Sequence, residues 1–213
     1  MPARTVKNAL MGGLLLMSSL SMIHSAAAAP PPDWGLFSMA PGEGPRYYIA
    51  RIDHAIAYDG SGSALLESKT NAASRSGTLA QGVVGNAFAG KKIQFSAYIK
   101  TQNVRKLAGL WIRAEDATGR VIAFRNVSSP GSRLRGTTDW TQVHIAINIP
   151  SAAAAVFYGI QLLGTGAVWI DNVRFDVLGK ADPDASGPTF TVYNPPPVPS
   201  LLLPRPENLN FEK

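Results

Sequence analysis

The chain has 213 residues, of which 46% are hydrophobic and 16% are charged, and its formal net charge at pH 7 is +6. This length suffices for one domain with a sizeable core, and the absence of cysteine excludes disulfides and thiolate metal sites. Lysine and arginine are scattered along the sequence without interleaved aromatic residues, so we expect no nucleic-acid partner.

Residues 1–29 have the layout of a secretory signal peptide. Arg4 and Lys7 precede an uncharged apolar run at 9–23, and small residues follow at 25–29. A transmembrane anchor is the alternative, but a run of about 15 residues is shorter than the ~20 that span a bilayer. The sequence therefore predicts cleavage, a periplasmic or secreted protein, and no transmembrane anchor in the mature chain.

Residues 33–177 show the alternation of apolar and polar side chains that is typical of β-strands. The clearest alternating runs cover 93–100, 110–115 and 142–149, and a turn at 116–119 joins two strands into a hairpin. A further strand is predicted at 155–163, which is apolar apart from Gln161. No stretch keeps a helical period over three turns, and 104–107 is a candidate for a single helical turn. This pattern predicts a β-sandwich or barrel.

The strand predicted at 167–177 carries a carboxylate among apolar residues. Strict alternation places five side chains on one face, and these are Trp169, Asp171, Val173, Phe175 and Val177. We expect that face to be buried and Trp140 to lie in the core with Trp169. A buried carboxylate must be paired, hydrogen-bonded or bound to a metal, so Asp171 is the strongest indication of a special site.

The composition changes after residue 177. Eight prolines lie between positions 183 and 206, which predicts a stiff, extended linker at 178–206 followed by a C-terminal segment at 207–213. We expect the leucines at 201–203 either to pack on the sandwich or to contact a protein partner.

Three motifs carry a resemblance to a known fold family. GTTDWT at 136–141 and GAVWIDNV at 166–173 resemble the late strands of galactose-binding-like jelly rolls, a group that includes carbohydrate-binding modules. GKKIQFSAYIKT at 90–101 is similar to the middle strands of the same group. The resemblance implies an all-β, two-sheet jelly-roll β-sandwich over residues 33–177 and a binding function without catalysis. Domains of this kind also occur in proteins described as transcriptional regulators, but no helix-turn-helix pattern is present here.

The chain departs from that family at its first strand. Such modules begin with a strand like Asn-Leu-x-Phe-Glu ahead of a Gly-Trp pair, and here Trp34-Gly35 has no such strand before it. The motif NLNFE lies at 208–212 instead, so we hypothesise a circular permutation in which 207–213 takes the first-strand place. A frayed tail, the stub of another module, or a strand donated to a neighbouring molecule are the alternatives.

The resemblance also implies a candidate calcium site. In the similar modules the Asp of the last strand and the Glu that ends the first strand contribute to a calcium site, and Asp171 and Glu212 match these positions. Calcium needs six to eight oxygen ligands, roughly, and two residues alone do not supply them. The alternative is that Asp171 accepts hydrogen bonds from backbone N–H groups or pairs with an arginine.

Four residues are candidates for ligand contacts because they lie on the non-core side of their strands. Aromatic rings stack on sugars, and long polar side chains hydrogen-bond to hydroxyl groups; the four are Tyr98, Trp111, Arg113 and Gln161. A solvated polar face is the alternative. The mature chain has two histidines, His54 and His144, and no nucleophile or metal-hydrolase motif.

The sequence therefore predicts an exported, non-catalytic module that binds carbohydrate or another extracellular ligand. The alternative function is a structural or protein-interaction module that uses residues 201–212.

Overall fold

The computed structural model describes residues 29–38, 44–69, 75–126, 128–129, 132–182, 190–191 and 202–213. The predicted signal peptide, except for residue 29, and most of the predicted linker lie outside these ranges. Within them, no helix is both long enough and apolar enough to cross a membrane.

The described chain is almost entirely β-structure. The strands are β1 (Gly35–Phe37), β2 (Tyr48–Asp53), β3 (Ser63–Ser68), β4 (Ser76–Val84), β5 (Lys91–Glu115), β6 (Arg120–Arg125), β7 (Arg133–Asn148), β8 (Ala155–Leu163), β9 (Ala167–Lys180) and β10 (Phe190–Thr191). The helices are α1 (Gly44–Tyr47) and a 3-10 turn at Gly85–Ala87. All pairs between these strands are antiparallel.

Two layers enclose the core, and β5 belongs to both. In layer 1 the order is β2-β3-β9-β5-β7, and in layer 2 it is β1-β4-β8-β5-β6-β10. The change of layer occurs at register shifts between Ile99 and Ala108, where Asn103 has a φ of 53°. These β-bulges bend the strand and increase its twist. The prediction of an all-β, two-sheet jelly-roll sandwich is confirmed, whereas the helical turn predicted at 104–107 is wrong because this stretch pairs with β7 and β8 inside β5.

A bulge in β9 corrects the predicted buried face. Asn172 has a φ of 49°, and the pairing with β5 shifts here, so that Asp171 is opposite Tyr98 while Arg174 is opposite Ser96. One inserted residue reverses which side chains face inward. Val173 therefore packs in the main core, as Phe175 does beside it, whereas Asp171 faces outward beneath a loop.

The bulge also explains the positions of the two tryptophans expected in the core. Trp169 precedes the bulge and is buried on the outer side of layer 1, where it packs with Leu65 and Ala167. Its Nε1 donates a hydrogen bond of 2.9 Å to Asp53 Oδ2. Trp140 is half-buried against the same outer cluster. The prediction of a core position is therefore confirmed for Trp169, in this smaller cluster, and wrong for Trp140, which is only partly buried.

The C-terminal residues pack against the rest of the same chain. The Phe211 side chain is fully buried, with its ring centroid 5.2 Å from that of Trp34. Val173 N donates to Leu209 O at 2.9 Å, and Trp34 Nε1 donates to Asn208 O at 3.2 Å. Residues 207–213 form no strand. Residues 207–213 reach β9, as the permutation hypothesis requires, through side-chain packing and one backbone hydrogen bond. The predicted domain limits stay predictions.

Candidate ligand-binding surfaces

The four predicted ligand residues lie on two different surfaces. Alternate residues of both halves of β5 are buried in one core, so the remaining residues point outward from the layer to which each half belongs. Tyr98 is in the half that pairs with β7 and β9, in layer 1. Trp111 and Arg113 are in the half that pairs with β8, which carries Gln161, in layer 2. The four residues therefore do not form one site.

The layer 2 surface is largely closed. Arg113 lies over two rings, with Cζ 4.9 Å from the centroid of Phe157 and 5.7 Å from that of Trp111. Its Nε is 2.8 Å from Glu115 Oε1, and the side chains of this ion pair are only 12% and 7% exposed. The indole Nε1 of Trp111 is buried and has no acceptor among the described residues. Burial lowers the pKa of Arg113 and raises that of Glu115.

The layer 1 surface presents an open aromatic patch, which consists of Tyr58, Tyr98 and Trp140. The rings of Tyr58 and Tyr98 are stacked, with centroids 3.5 Å apart and planes 12° from parallel. The Trp140 ring meets Tyr58 edge-on, at 5.9 Å and 67°. Tyr58 is 40% exposed, and its hydrogen bond with Tyr98 raises its pKa. The patch therefore offers aromatic surface to solvent.

Polar side chains surround the aromatic patch. Lys100 Nζ is 2.7 Å from Asp139 Oδ1, and this hydrogen bond lowers the pKa of Asp139. Gln142 is directly opposite Tyr98 in the pairing of β5 with β7. Arg174 Nε donates to Asn172 Oδ1 at 3.0 Å. A rigid ring bordered by such donors and acceptors is the usual composition of a site for a polar small molecule or polymer.

Two carboxylates hold the loop that carries Tyr58. Asp171 Oδ2 accepts hydrogen bonds from Tyr58 N at 2.9 Å and Asp59 N at 3.1 Å, and its Oδ1 accepts one from Asn172 N at 2.6 Å. Glu212 Oε1 accepts a hydrogen bond from Ser61 N at 2.8 Å, and its Oε2 accepts one from the Ser61 hydroxyl. Burial raises the pKa of Asp171, whereas the bond from the Ser61 hydroxyl lowers that of Glu212.

The same two carboxylates were the predicted calcium ligands. Each of their four oxygens already faces an N–H or O–H donor, which repels a cation. The described residues contain no group of three or more His, Cys, Asp or Glu side chains that could hold a metal ion. This donor set does not fit calcium, which requires more oxygen ligands. The observed arrangement is the alternative in which Asp171 accepts hydrogen bonds from backbone N–H groups, and we therefore expect no calcium at Asp171 and Glu212.

The sequence analysis did not identify Tyr58, because this residue lies outside the predicted strands. Tyr58 joins the patch through a contact across 40 positions of sequence, and strand alternation describes nothing outside strands. The one available signal was an aromatic residue at the edge of a Gly-rich and Asp-rich turn.

Solved structures with similar backbones support the same fold. The xylan-binding CBM22-1 domain of Xyn10C from Paenibacillus barcinonensis aligns with a TM-score of 0.51 and 12% identity, over 69% of this chain and 88% of that one. The fold is that of a carbohydrate-binding module. The Stig cyclase Fisc from Fischerella sp. TAU aligns with a TM-score of 0.50 and 14% identity, over 76% and 93% of the two chains. The fold is thus shared with an enzyme.

One curated protein matches in sequence. It is the uncharacterized HTH-type transcriptional regulator YbfP of Bacillus subtilis (strain 168), with 31% identity over 173 residues. The match covers 81% of this chain and 55% of the regulator, so the chain spans about half the length of that relative. No protein-family model matches the chain. The helices that the structure describes have four and three residues, and they form no helix-turn-helix.

Proposed function

We propose that this protein is an exported, non-catalytic module that binds carbohydrate through the aromatic patch. The observation that carries the proposal is the Tyr58 ring, which lies flat on Tyr98 with part of its surface open to solvent. Flat aromatic surface stabilises a bound sugar by stacking on its C–H face, and the surrounding polar groups select its hydroxyls. The xylan-binding domain with a similar fold supports this class of ligand.

The patch is already organised for binding. The backbone of the loop at 58–61 is hydrogen-bonded to Asp171 and Glu212, and the Tyr58 ring packs on a β-strand. Pre-positioned aromatic side chains lose little conformational freedom when a ligand binds, so more of the contact energy contributes to affinity.

The other predicted ligand residues form a second candidate surface. Trp111, Arg113 and Gln161 share the outer side of layer 2, but the guanidinium group is engaged by Glu115 and both side chains of this pair are nearly buried. A sugar would have to displace that ion pair or bind at its margin. We therefore assign the primary contact to Tyr98 and its partner Tyr58.

The alternative function, a protein-interaction module that uses 201–212, has less support in the described residues. Leu203 packs against the main core and its backbone bonds to Gly82 and Val84, while Phe211 is fully buried. Side chains that are committed to the core of their own domain are not available to a partner. Within longer proteins such as the B. subtilis relative, a module of this kind would serve as the ligand-binding part.

Glycan binding by paired variants tests the proposal. The purified protein is screened on an array of neutral and acidic polysaccharides, and its affinity for any bound glycan is measured by calorimetry. The double substitution Tyr58→Ala/Tyr98→Ala should weaken binding by about tenfold or more, because removing Tyr58 alone would uncover Tyr98. Trp111→Ala is the matched control, with unchanged affinity. Loss of binding in Trp111→Ala alone would move the site to layer 2, and an array without any binding would refute the proposal.

A further inference from the structure

We propose that the carbohydrate ligand is anionic and that one end of the sandwich binds its carboxylates. This inference rests on the proposed function and specifies its substrate class. The surface concerned, here termed the basic end, surrounds the turn between β8 and β9. It consists of Arg46, Arg75, Arg105, Lys106, Arg133 and Arg135, all exposed.

The fold gathers these six cations from distant parts of the sequence. Gly164 N donates to Arg75 O at 2.8 Å, and Arg105 N donates to Thr165 O at 3.0 Å, so β4 and β5 both bring a cation to this turn. On the far side, Arg135 Nε donates to Lys106 O at 2.8 Å. Basic residues that are distant in the sequence are therefore brought to one end of the sandwich.

Two of the cations share one aromatic ring. Arg46 and Arg75 place Cζ at 5.4 Å and 5.0 Å from the ring centroid of Tyr47. Like charges repel, and the ring face offsets part of that cost. Arginine is well suited to carboxylate ligands because its planar group forms paired hydrogen bonds with them.

Four cations of the basic end have no ion-pair partner among the described residues. Arg105, Lys106, Arg133 and Arg135 take part in no ion pair with a described carboxylate. Asp139, on β7, is already paired with Lys100. These four cations therefore have no partner among the described carboxylates, and they attract an external anion over about a Debye length.

The same strand connects the basic end to the aromatic patch. Arg133, Arg135 and Trp140 all belong to β7, and successive residues of a strand advance about 3.3 Å. The distance from Arg135 to Trp140 along the strand is therefore on the order of 17 Å. A polymer of several sugar units can span this distance, with a ring on the aromatic patch and its charges beside the arginines.

Other anionic macromolecules fit this surface less well. Single-stranded nucleic acid binds to successive exposed rings, whereas here Tyr58 covers Tyr98 and presents one platform. A membrane surface is usually met by apolar side chains beside the cations. The large exposed apolar side chains of the described residues are Tyr58, Val177 and Leu178, and none of them lies at the basic end.

Calorimetry with polygalacturonate, and with the same polymer after its carboxyls are reduced to alcohols, tests the inference. The charged polymer should bind more tightly, and added salt should remove the difference. Arg105→Gln/Arg133→Gln should weaken binding of the charged polymer by about tenfold and leave the reduced polymer unaffected. Lys92→Gln/Lys180→Gln is the matched control, because both lysines are exposed at the opposite end of the β5–β9 pair.

The outcomes separate this inference from the proposed function. Equal affinity for the two polymers, with loss in Tyr58→Ala/Tyr98→Ala, would overturn the inference and leave the proposed function intact. An equal loss of affinity in Arg105→Gln/Arg133→Gln and in Lys92→Gln/Lys180→Gln would also overturn the inference, because it would indicate a general effect of net charge. Binding to single-stranded DNA or to anionic phospholipid vesicles, with none to polygalacturonate, would overturn both.

Discussion

Replacing Phe211 by alanine should reduce the free energy of unfolding substantially, although the residue is third from the end of the chain. Its side chain is fully buried, and the ring packs against Trp34. Truncating a buried phenylalanine costs about 3–5 kcal/mol, which combines the lost transfer free energy with the cavity that remains. If the segment detaches as well, its hydrogen bonds with Trp34 and Val173 are also lost, so the upper part of that range applies.

Urea unfolding followed by tryptophan fluorescence measures this loss, because the midpoint and slope give the free energy by linear extrapolation. Val177→Ala is the control: this side chain is 59% exposed, so the change should stay within about 0.5 kcal/mol. A loss of less than about 1 kcal/mol in Phe211→Ala would refute the integration of the C-terminal segment into the core.

Three further predictions concern buried and interacting charges. Arg113→Met should destabilise the fold by about 3 kcal/mol because it leaves Glu115 as an uncompensated buried charge, and Arg113→Met/Glu115→Leu should recover most of that loss in urea unfolding. Hydrogen bonds to the Glu212 carboxylate lower its pKa in the folded state. The ionised carboxylate therefore stabilises the fold at pH values above the ordinary glutamate pKa of about 4.3, and this contribution is lost as the pH falls through the lowered pKa. The melting temperature of Glu212→Gln, measured between neutral and acidic pH, should lack this pH-dependent contribution. A variant whose melting temperature depends on pH in the same way as that of the native protein would contradict the prediction. Finally, a chelator should leave the melting temperature unchanged, since backbone N–H groups occupy the oxygens of Asp171; stabilisation by added calcium would reverse this conclusion.

The sequence was sufficient to predict most strands and the fold class. Alternation in β7 identified Val143, Ile145 and Ile147 as buried, the apolar run at 155–163 predicted β8, and the turn at 116–119 predicted the β5–β6 hairpin. The sequence did not show that the runs at 93–100 and 110–115 are parts of one 25-residue strand. Bulges join them, and a bulge leaves no periodic signal because it interrupts the period.

Asn172 shows why the site was harder to predict than the fold. A single residue in the left-handed region reverses the alternation of β9, and asparagine enters that region without the glycine or proline that marks most irregularities. The position of Asp171 follows from this one residue. Its partners, the N–H groups of Tyr58 and Asp59, are more than 110 positions away, and contacts of that kind cannot be deduced from local patterns.

The most direct test of carbohydrate binding at the aromatic patch keeps the rings and removes only their hydroxyls. Tyr58→Phe/Tyr98→Phe and Tyr58→Ala/Tyr98→Ala are compared by calorimetry with one glycan that the native protein binds. If stacking supplies the affinity, the phenylalanine variant should stay within about threefold of the native value and the alanine variant should lose about tenfold or more. Equal affinity in all three proteins would contradict the assignment of the ligand to this surface.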